Sequence, residues 1–337
     1  GTPTEIATFW EAHQRYGKLP WKDLFVPTIA MLRNGVPLSG DSVNKMTYMK
    51  KVLLEEHNIT LHKTFADDHF KSDTVIPTYH LLAEVMKWAD AYSKHLGDPR
   101  SLAGLGEFMQ SLGTEEMAER VRKGINHART QESSHYVDVA IDDVQLHGTT
   151  HVSILGTDGD AVSVTSSINN YFGSLIYSKS TGIILNNSLK NFGNATCSRN
   201  PLIPGRSSRS GQSPSIILDK NDDLLMVIGA SGGNRIATSL AQALLRILWL
   251  NQTLEEAIRP KRIHYDVMQN KLVYEIGFPK NILDGLRDSY GHELLERDRY
   301  MSNIQAVYKN PKTHQIDAFS DERKGGHACL VQVENRK

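Results

Sequence analysis

Cysteine is nearly absent: Cys197 and Cys329 are the two in 337 residues. That is too few for a disulfide framework or a cysteine-built metal cluster, and their spacing leaves open whether they pair. Net charge is absent too, with 38 basic against 38 acidic side chains. With no block of one sign, the electrostatic case for nucleic acid, a basic arm or an acidic tail falls away. Long apolar runs are missing. Stretches such as "ALLRILWL" at 243–250 are too short and too polar to span a bilayer; any targeting signal or anchor would lie upstream of Gly1. There is no internal repeat, and "KSTG" at 179–182 lacks the glycine-rich approach of a phosphate loop. Fourteen histidines invite a metal, but His147 and His151 have no acidic or cysteine partners at ligand spacing. Neither a metal nor another cofactor is expected.

What is present fits a globular chain with a substantial core: 39% hydrophobic and 23% charged residues. Sequons at Asn58, Asn186, Asn194 and Asn251 lean toward the secretory route. Residues 1–148 read as mostly helical. Thr4 is a plausible N-cap for a helix ending at Gly17, and a turn and a second helix run to Asn34-Gly35. Between Pro77 and Tyr92, Leu81, Val85, Trp88 and Tyr92 share one helical face. Residues 100–128 continue the helical pattern, "LGDP" at 96–99 reads as a helix stop, and 131–148 as a polar surface segment.

From Thr149 the pattern alternates. "THVSIL", the turn "GTDGD" and "AVSVTSS" form a hairpin signature. Further strands are expected at 182–186, 215–220 and 224–230, with a turn at 221–223. A helix follows, its stripe formed by Ile236, Leu240, Leu244 and Leu248. Beyond Pro260 come "KLVYEI", "NIQAVYKN", "QIDAFS" and "CLVQVE". Helices first and strands second predict an α+β protein of stacked layers.

Thr149 follows a glycine that can hold an unusual dihedral, with a polar segment before it and a strand after it. A threonine so placed can attack its own preceding carbonyl. The peptide becomes an ester, and water frees an α-amino group that then serves as the hydroxyl's base. "GASGGNR" at 229–235 could present backbone N–H groups to an oxyanion, although a plain glycine turn reads the same.

These blocks, in order with "EIATFWEAHQRYGKLPWKDLFVPTIAMLRNGVPL", "TYHLLAEVMKWADAYSKHLGDP", "TGIILNNSLKNF" and "SDERKGGHA", resemble the γ-glutamyltransferase (glutathione hydrolase) family of N-terminal-nucleophile enzymes. The resemblance is continuous over 149–337 and patchy over 1–148. It implies a four-layer αββα sandwich, incomplete here because a block of the large subunit is missing between "LLEEHNITLHKTF" and "DTVIPTYHLL". It implies one intertwined domain, made of a large-subunit segment 1–148 and a small-subunit segment 149–337 that form a heterodimer from one precursor. The implied substrates are glutathione or other γ-glutamyl compounds, with water or an amino acid or peptide as acceptor, outside the cell.

By the resemblance Thr149 is the cut point and nucleophile. Ser167 stands where a threonine usually bonds the new amino group, and Gly232 and Gly233 supply oxyanion N–H groups. Asn169 contacts the α-amino end of the γ-glutamyl group and Ser210 its α-carboxylate. Three positions depart from the family. Ser188 and Asn191 stand where acidic or amide groups hold the substrate's ammonium, and Gly211 replaces the second serine of a pair. The arginine that clamps the α-carboxylate in the family would lie upstream of Gly1. Losing a desolvated charged contact costs roughly 2–5 kcal/mol, so self-processing and donor recognition are separable expectations. The rivals to an active enzyme are a secreted, catalytically impaired relative that binds or decoys, and a truncated gene model.

Overall fold

The computed structural model describes residues 4–34, 75–100, 103–136, 148–192, 200–297 and 301–331. Helix α1 (Glu5–Tyr16) and a 3-10 turn (Trp21–Phe25) lead into α2 (Val26–Asn34). Then come α3 (Val75–Ser93), α4 (Leu105–Ser111) and α5 (Glu115–Gly124), the last capped by Thr114 accepting from the Met117 N–H. Strands β1 (Gly148–Leu155) and β2 (Ala161–Asn169) form the expected hairpin. The short β3 (Tyr177–Ser178) and β4 (Ile183–Ile184) follow, then β5 (Ser215–Leu218) and β6 (Leu224–Ser231). Helices α6 (Ile236–Leu248) and α7 (Leu254–Ile258) precede β7 (Ile263–Asp266) and β8 (Lys271–Glu275). Helix α8 (Lys280–Asp288), β9 (Leu294–Arg297), β10 (Asn303–Lys309) and β11 (Ile316–Ser320) complete the order.

The central sheet runs β11-β10-β6-β5, all antiparallel. One face packs Met226, Ile228, Ala230 and Ile304 against Ile236, Leu240, Ala243 and Ile247 of α6 and against α7. The other face receives the β1–β2 hairpin. That sheet-to-sheet contact is tight and partly polar. Ser153 Oγ donates to Gln305 O, Ser163 Oγ donates to Ile228 O, and a Cβ on Gly229 would sit 2.1 Å from the His151 ring. The layers are therefore helix, sheet, sheet. On the hairpin's outer face Val152, Ile154 and Val162 stay roughly half exposed, so the fourth, helical layer does not form among the described residues. The α+β sandwich is incomplete in this chain.

A second core joins the two parts of the chain. Val75, Tyr79, Ala83 and Met86 of α3 pack with α8 and the sheet β7-β8-β9, in which β8 and β9 run parallel. This displaces the stripe expected on α3. Val85 is exposed, and the buried face instead carries His80, Glu84 and Lys87 between the apolar residues. On α6, Ile236 and Leu240 are buried as expected, but Ala243 and Ile247 continue the face and Leu248 is exposed. "CLVQVE" forms no strand over the described residues 329–331, which are exposed. Cys329 is an exposed free thiol; Cys197, His147, Asn58 and Asn194 lie outside the described residues.

Candidate functional site

The register of β1 on β2 shifts between Gly148 and Thr149: Gly148 faces Asn169, whereas Thr149 faces Ser167. A bulge therefore sits at this peptide. Opposite it, buried Asn169 takes a left-handed φ of 76°, a strained state for a side-chain-bearing residue. Gly148 itself has no positive φ. It is needed for space, since a Cβ there would lie 2.2 Å from Asn170 O. Close approach, not the dihedral expected from sequence, explains this glycine.

Ser167 decides the local hydrogen bonding. Its Oγ lies 3.0 Å from Gly148 O, and a carbonyl only accepts, so the Ser167 proton points there. The 2.9 Å contact between Thr149 Oγ1 and Ser167 Oγ must then have Thr149 as donor. The Asn169 N–H fills the remaining lone pair at 2.9 Å. One hydroxyl thus takes the proton of Thr149 and donates to the carbonyl on the other side of the Gly148–Thr149 bond.

Except for Gly232, every residue picked out from sequence lines one cavity of about 200 Å³: Thr149, Ser167, Asn169, Ser188, Asn191, Ser210, Gly211 and Gly233. Gly232 (φ 143°) packs on Ser302 one residue behind, and Gly233 (φ 71°) opens a short 3-10 turn into α6. A Cβ on Gly211 would press on Gly233 O at 3.2 Å. Ser188 and Asn191 share a 3-10 turn (Ser188–Asn191). Asn191 is 7% exposed and its buried Oδ1 has no hydrogen-bond partner, an unsatisfied acceptor in the wall of the cavity.

The loop carrying Ser210 is anchored from the first part of the chain. Buried Asp98 accepts from the Ser207 N–H at 2.8 Å and pairs with Arg100, which donates to Ser207 Oγ. Hydrogen bonding from Arg100 holds the Asp98 carboxyl well below its ordinary range. "LGDP" is thus more than the helix stop expected from sequence.

His151 is not a base for Thr149. Its nitrogens engage Thr165 Oγ1 and Ser153 Oγ, and burial pulls its pKa to about 4. Sequence reasoning missed Lys324. Its ammonium donates to Thr149 O and, at 3.1 Å, to Ser231 Oγ; within "ERKGG" it reads only as a loop lysine.

One group could hold a metal: His80, Glu84 and His292, with ligand atoms within 4.8 Å of one another. Each atom already has a protein partner. His80 Nε2–H donates to Asn126 O, so His80 Nδ1 accepts from His292 Nε2–H at 2.9 Å. Glu84 accepts from Thr130 and Tyr136, with the Lys87 ammonium 3.6 Å away. A cation would have to break this network beside an existing ammonium. A larger groove of about 590 Å³ between α8 and β9 carries Lys271, Lys280 and Arg287. They are paired with Glu293, with Asp284, and with Asp284 and Asp288 respectively.

Comparison with known proteins converges on one family. The family model described as gamma-glutamyltranspeptidase matches residues 1–75 and 51–331. The overlap, residues 51–75, takes in the first of the two blocks between which sequence reading expects missing residues and reaches the start of the second. Scoloptoxin SSD14 of Scolopendra dehaani is 36% identical over 259 residues, covering 74% of this chain and 44% of that protein. The glutathione hydrolase 5 proenzyme of Rattus norvegicus is 27% identical over 439 residues, covering 97% of this chain and 75% of its own. Those 439 residues exceed the 337 here, so the rat protein carries residues with no counterpart in this chain. This chain spans less than half of the Scolopendra protein. Among solved structures, a gamma-glutamyltranspeptidase from Pseudomonas nitroreducens, complexed with L-DON, superposes with a TM-score of 0.50 at 30% identity. The match covers 54% of this chain and all of that one. With the family model spanning most of the sequence, the chain belongs to the γ-glutamyltranspeptidase family and has an incomplete N-terminal-nucleophile hydrolase fold.

Proposed function

We propose that the chain cuts itself at Gly148–Thr149 and that Thr149 then transfers γ-glutamyl groups. The observation carrying this is the Ser167 hydroxyl, which bonds the Thr149 hydroxyl and the Gly148 carbonyl at a bulged peptide. Thr149 Oγ1 adds to the Gly148 carbonyl carbon. Its proton passes to Ser167 as Ser167 protonates the Gly148 oxygen. Collapse breaks the C–N bond, the nitrogen takes a proton, and Gly148 becomes esterified to Thr149 Oγ1. Water hydrolyses the ester, leaving a Gly148 carboxylate and a free Thr149 α-amine.

In turnover that amine removes the Thr149 proton as the hydroxyl attacks a γ-glutamyl carbonyl. The N–H groups of Gly233, on the cavity wall, and of Gly232 beside it are the donors proposed for the developing oxyanion, and the donor's amine leaves. The threonyl ester then passes its acyl group to water or to an amino acid or peptide amine. Asn169, Ser188 and Asn191 receive the donor's ammonium, and Ser210 its carboxylate. Glutathione is the donor suggested by the relatives' names. Residues 1–148 and 149–337 remain together as a heterodimer. The sequons support a place on the secretory route or the outer cell surface; Asn251 is exposed, and no helix among the described residues is long and apolar enough to cross a membrane.

The test is a time course of the purified chain on a denaturing gel, with N-terminal sequencing of the smaller band and an assay of γ-glutamyl anilide. A band starting at Thr149 and amine release are expected; an uncut chain refutes the reading. One observation favours a second reading, a self-cut relative that binds without turnover. Neutral Asn191 offers only an unpaired amide oxygen where, by the resemblance, a carboxylate would hold the ammonium. A Thr149 band without amine release would select it.

A further inference from the structure

The turn after β11 is fixed more firmly than a surface loop requires. Arg323 grips Glu275 through two hydrogen bonds of 2.9 Å and reaches Asp321 at 3.0 Å. Arg262 holds the other Asp321 oxygen at 2.7 Å and donates to Ser302 O. All four charged groups are buried. Burial works to raise the Glu275 and Asp321 carboxyls, but the two guanidiniums outweigh it and hold both below their ordinary values. Asp321 also caps the turn through the Arg323 N–H, and Gly325 closes it with a φ of 68°. Single-point removal inside such a network is strongly destabilising, so the turn is rigid. What it presents to the hairpin is the Lys324 ammonium, on Thr149 O and Ser231 Oγ.

We propose that Lys324 is a positioning residue for the nucleophile: it holds the Thr149 backbone against the end of β6 and keeps the α-amine released by cleavage in its neutral, basic form. This rests on the reading of Thr149 as the cut point. The α-nitrogen and carbonyl oxygen of one residue are only three bonds apart, with two carbons between them, so a cation on the oxygen stands close to the amine. A like charge there disfavours the ammonium form.

Among the described residues few other charges face this position. On β1, His151 is buried and neutral, and neither β2 nor β6 carries an ionisable side chain. On β10 the ionisable groups are Tyr308 and Lys309, at the end away from Thr149. From the turn come Asp321 and Arg323, tied to Arg262 and Glu275, and the exposed Glu322, paired with Arg259. Arg209 lines the cavity and adds a second positive charge on that side.

The experiment is competitive acetylation of the Thr149 α-amine in the cleaved full chain across pH, read by mass spectrometry. It compares the unaltered protein with Lys324→Gln, Lys324→Met and Lys324→Arg. In the unaltered protein the amine should titrate below the ordinary range of roughly 7.7–8.0. Lys324→Gln keeps a donor for Thr149 O but removes the charge, and should move the titration up by about one pH unit. Lys324→Met should do the same and slow cleavage, and Lys324→Arg should restore both. An unmoved titration in a cleaved, folded Lys324→Gln protein overturns this assignment alone, and decides the matter if Lys324→Met does not fold. An unaltered chain that stays uncut overturns the cut-point reading and this assignment with it.

Discussion

Ser167→Ala is the sharpest perturbation of the proposed scission. The hydroxyl makes three contacts: it donates to Gly148 O and accepts from Thr149 Oγ1 and the Asn169 N–H. Alanine removes the donor aimed at the oxygen that gains charge when Thr149 attacks, and removes the first acceptor of the attacking proton. Loss of one such donor typically slows a reaction about 10²–10³-fold. Ser167→Ala is therefore expected to cleave at least about a hundredfold more slowly. It also leaves the Asn169 N–H without its partner, which should lower stability by about 1–3 kcal/mol. Ser167→Thr keeps the hydroxyl and should recover most of the rate. The assay is the appearance of the Thr149-starting fragment by intact mass, alongside urea unfolding of the uncut chain. Cleavage of Ser167→Ala within about threefold of the unaltered rate would show that Ser167 is only a structural partner.

Gly148→Ala should abolish cleavage or destabilise the hairpin, since its Cβ would lie 2.2 Å from Asn170 O; normal cleavage by gel would refute the close-approach argument. Asn191→Asp should lower KM for a γ-glutamyl anilide about tenfold or more, a hydrogen bond to a charged group contributing roughly 1.5–3 kcal/mol. An unchanged KM would remove Asn191 from the donor site. Acid should weaken the fold from about pH 6.5 downward. Burial pulls His151 to about 4, and His264 and His292 to about 3. The unfolded chain therefore binds protons near 6.5 that the folded chain refuses down to about 3–4. Stability then falls with pH by up to about 1.4 kcal/mol per unit for each residue. Equal urea midpoints at pH 7.5 and 5.0 would refute this.

Local order was legible where it depends on neighbours in sequence. The β1–β2 hairpin, the turn at 221–223 and the entry to α6 all follow from period and turn chemistry within about twenty residues. The buried face of α3 was not, because His80, Glu84 and Lys87 are buried through partners far along the chain, Asn126, Thr130, Tyr136 and His292. Polar residues satisfied at long range look like a solvated face to any hydrophobic pattern. Lys324 was hidden for the same reason, since its contacts with Thr149 and Ser231 link positions that no spacing rule joins. Helix α8 and the parallel pairing of β8 with β9 were missed among short strands, since a connection across a sheet leaves little trace in alternation.

The two abilities proposed for this chain draw on different parts of the fold, and that sets what can be lost alone. The groups bonded around the Gly148–Thr149 peptide lie on β1 and β2, with Lys324 as a clamp from outside the hairpin. Donor recognition, as proposed, draws on the 188–191 turn and the loop through Ser210 and Gly211, with Asp98 steadying the loop, and shares with the hairpin only Asn169 at the end of β2. A substitution at 188, 191 or 211 leaves every hydrogen bond of Ser167 in place, whereas one at Ser167 disturbs both sites. Donor recognition can therefore change behind an intact nucleophile, and the three positions that the resemblance marks as departures lie on that side: Ser188, Asn191 and Gly211 line the cavity without touching the hydrogen bonds of Ser167.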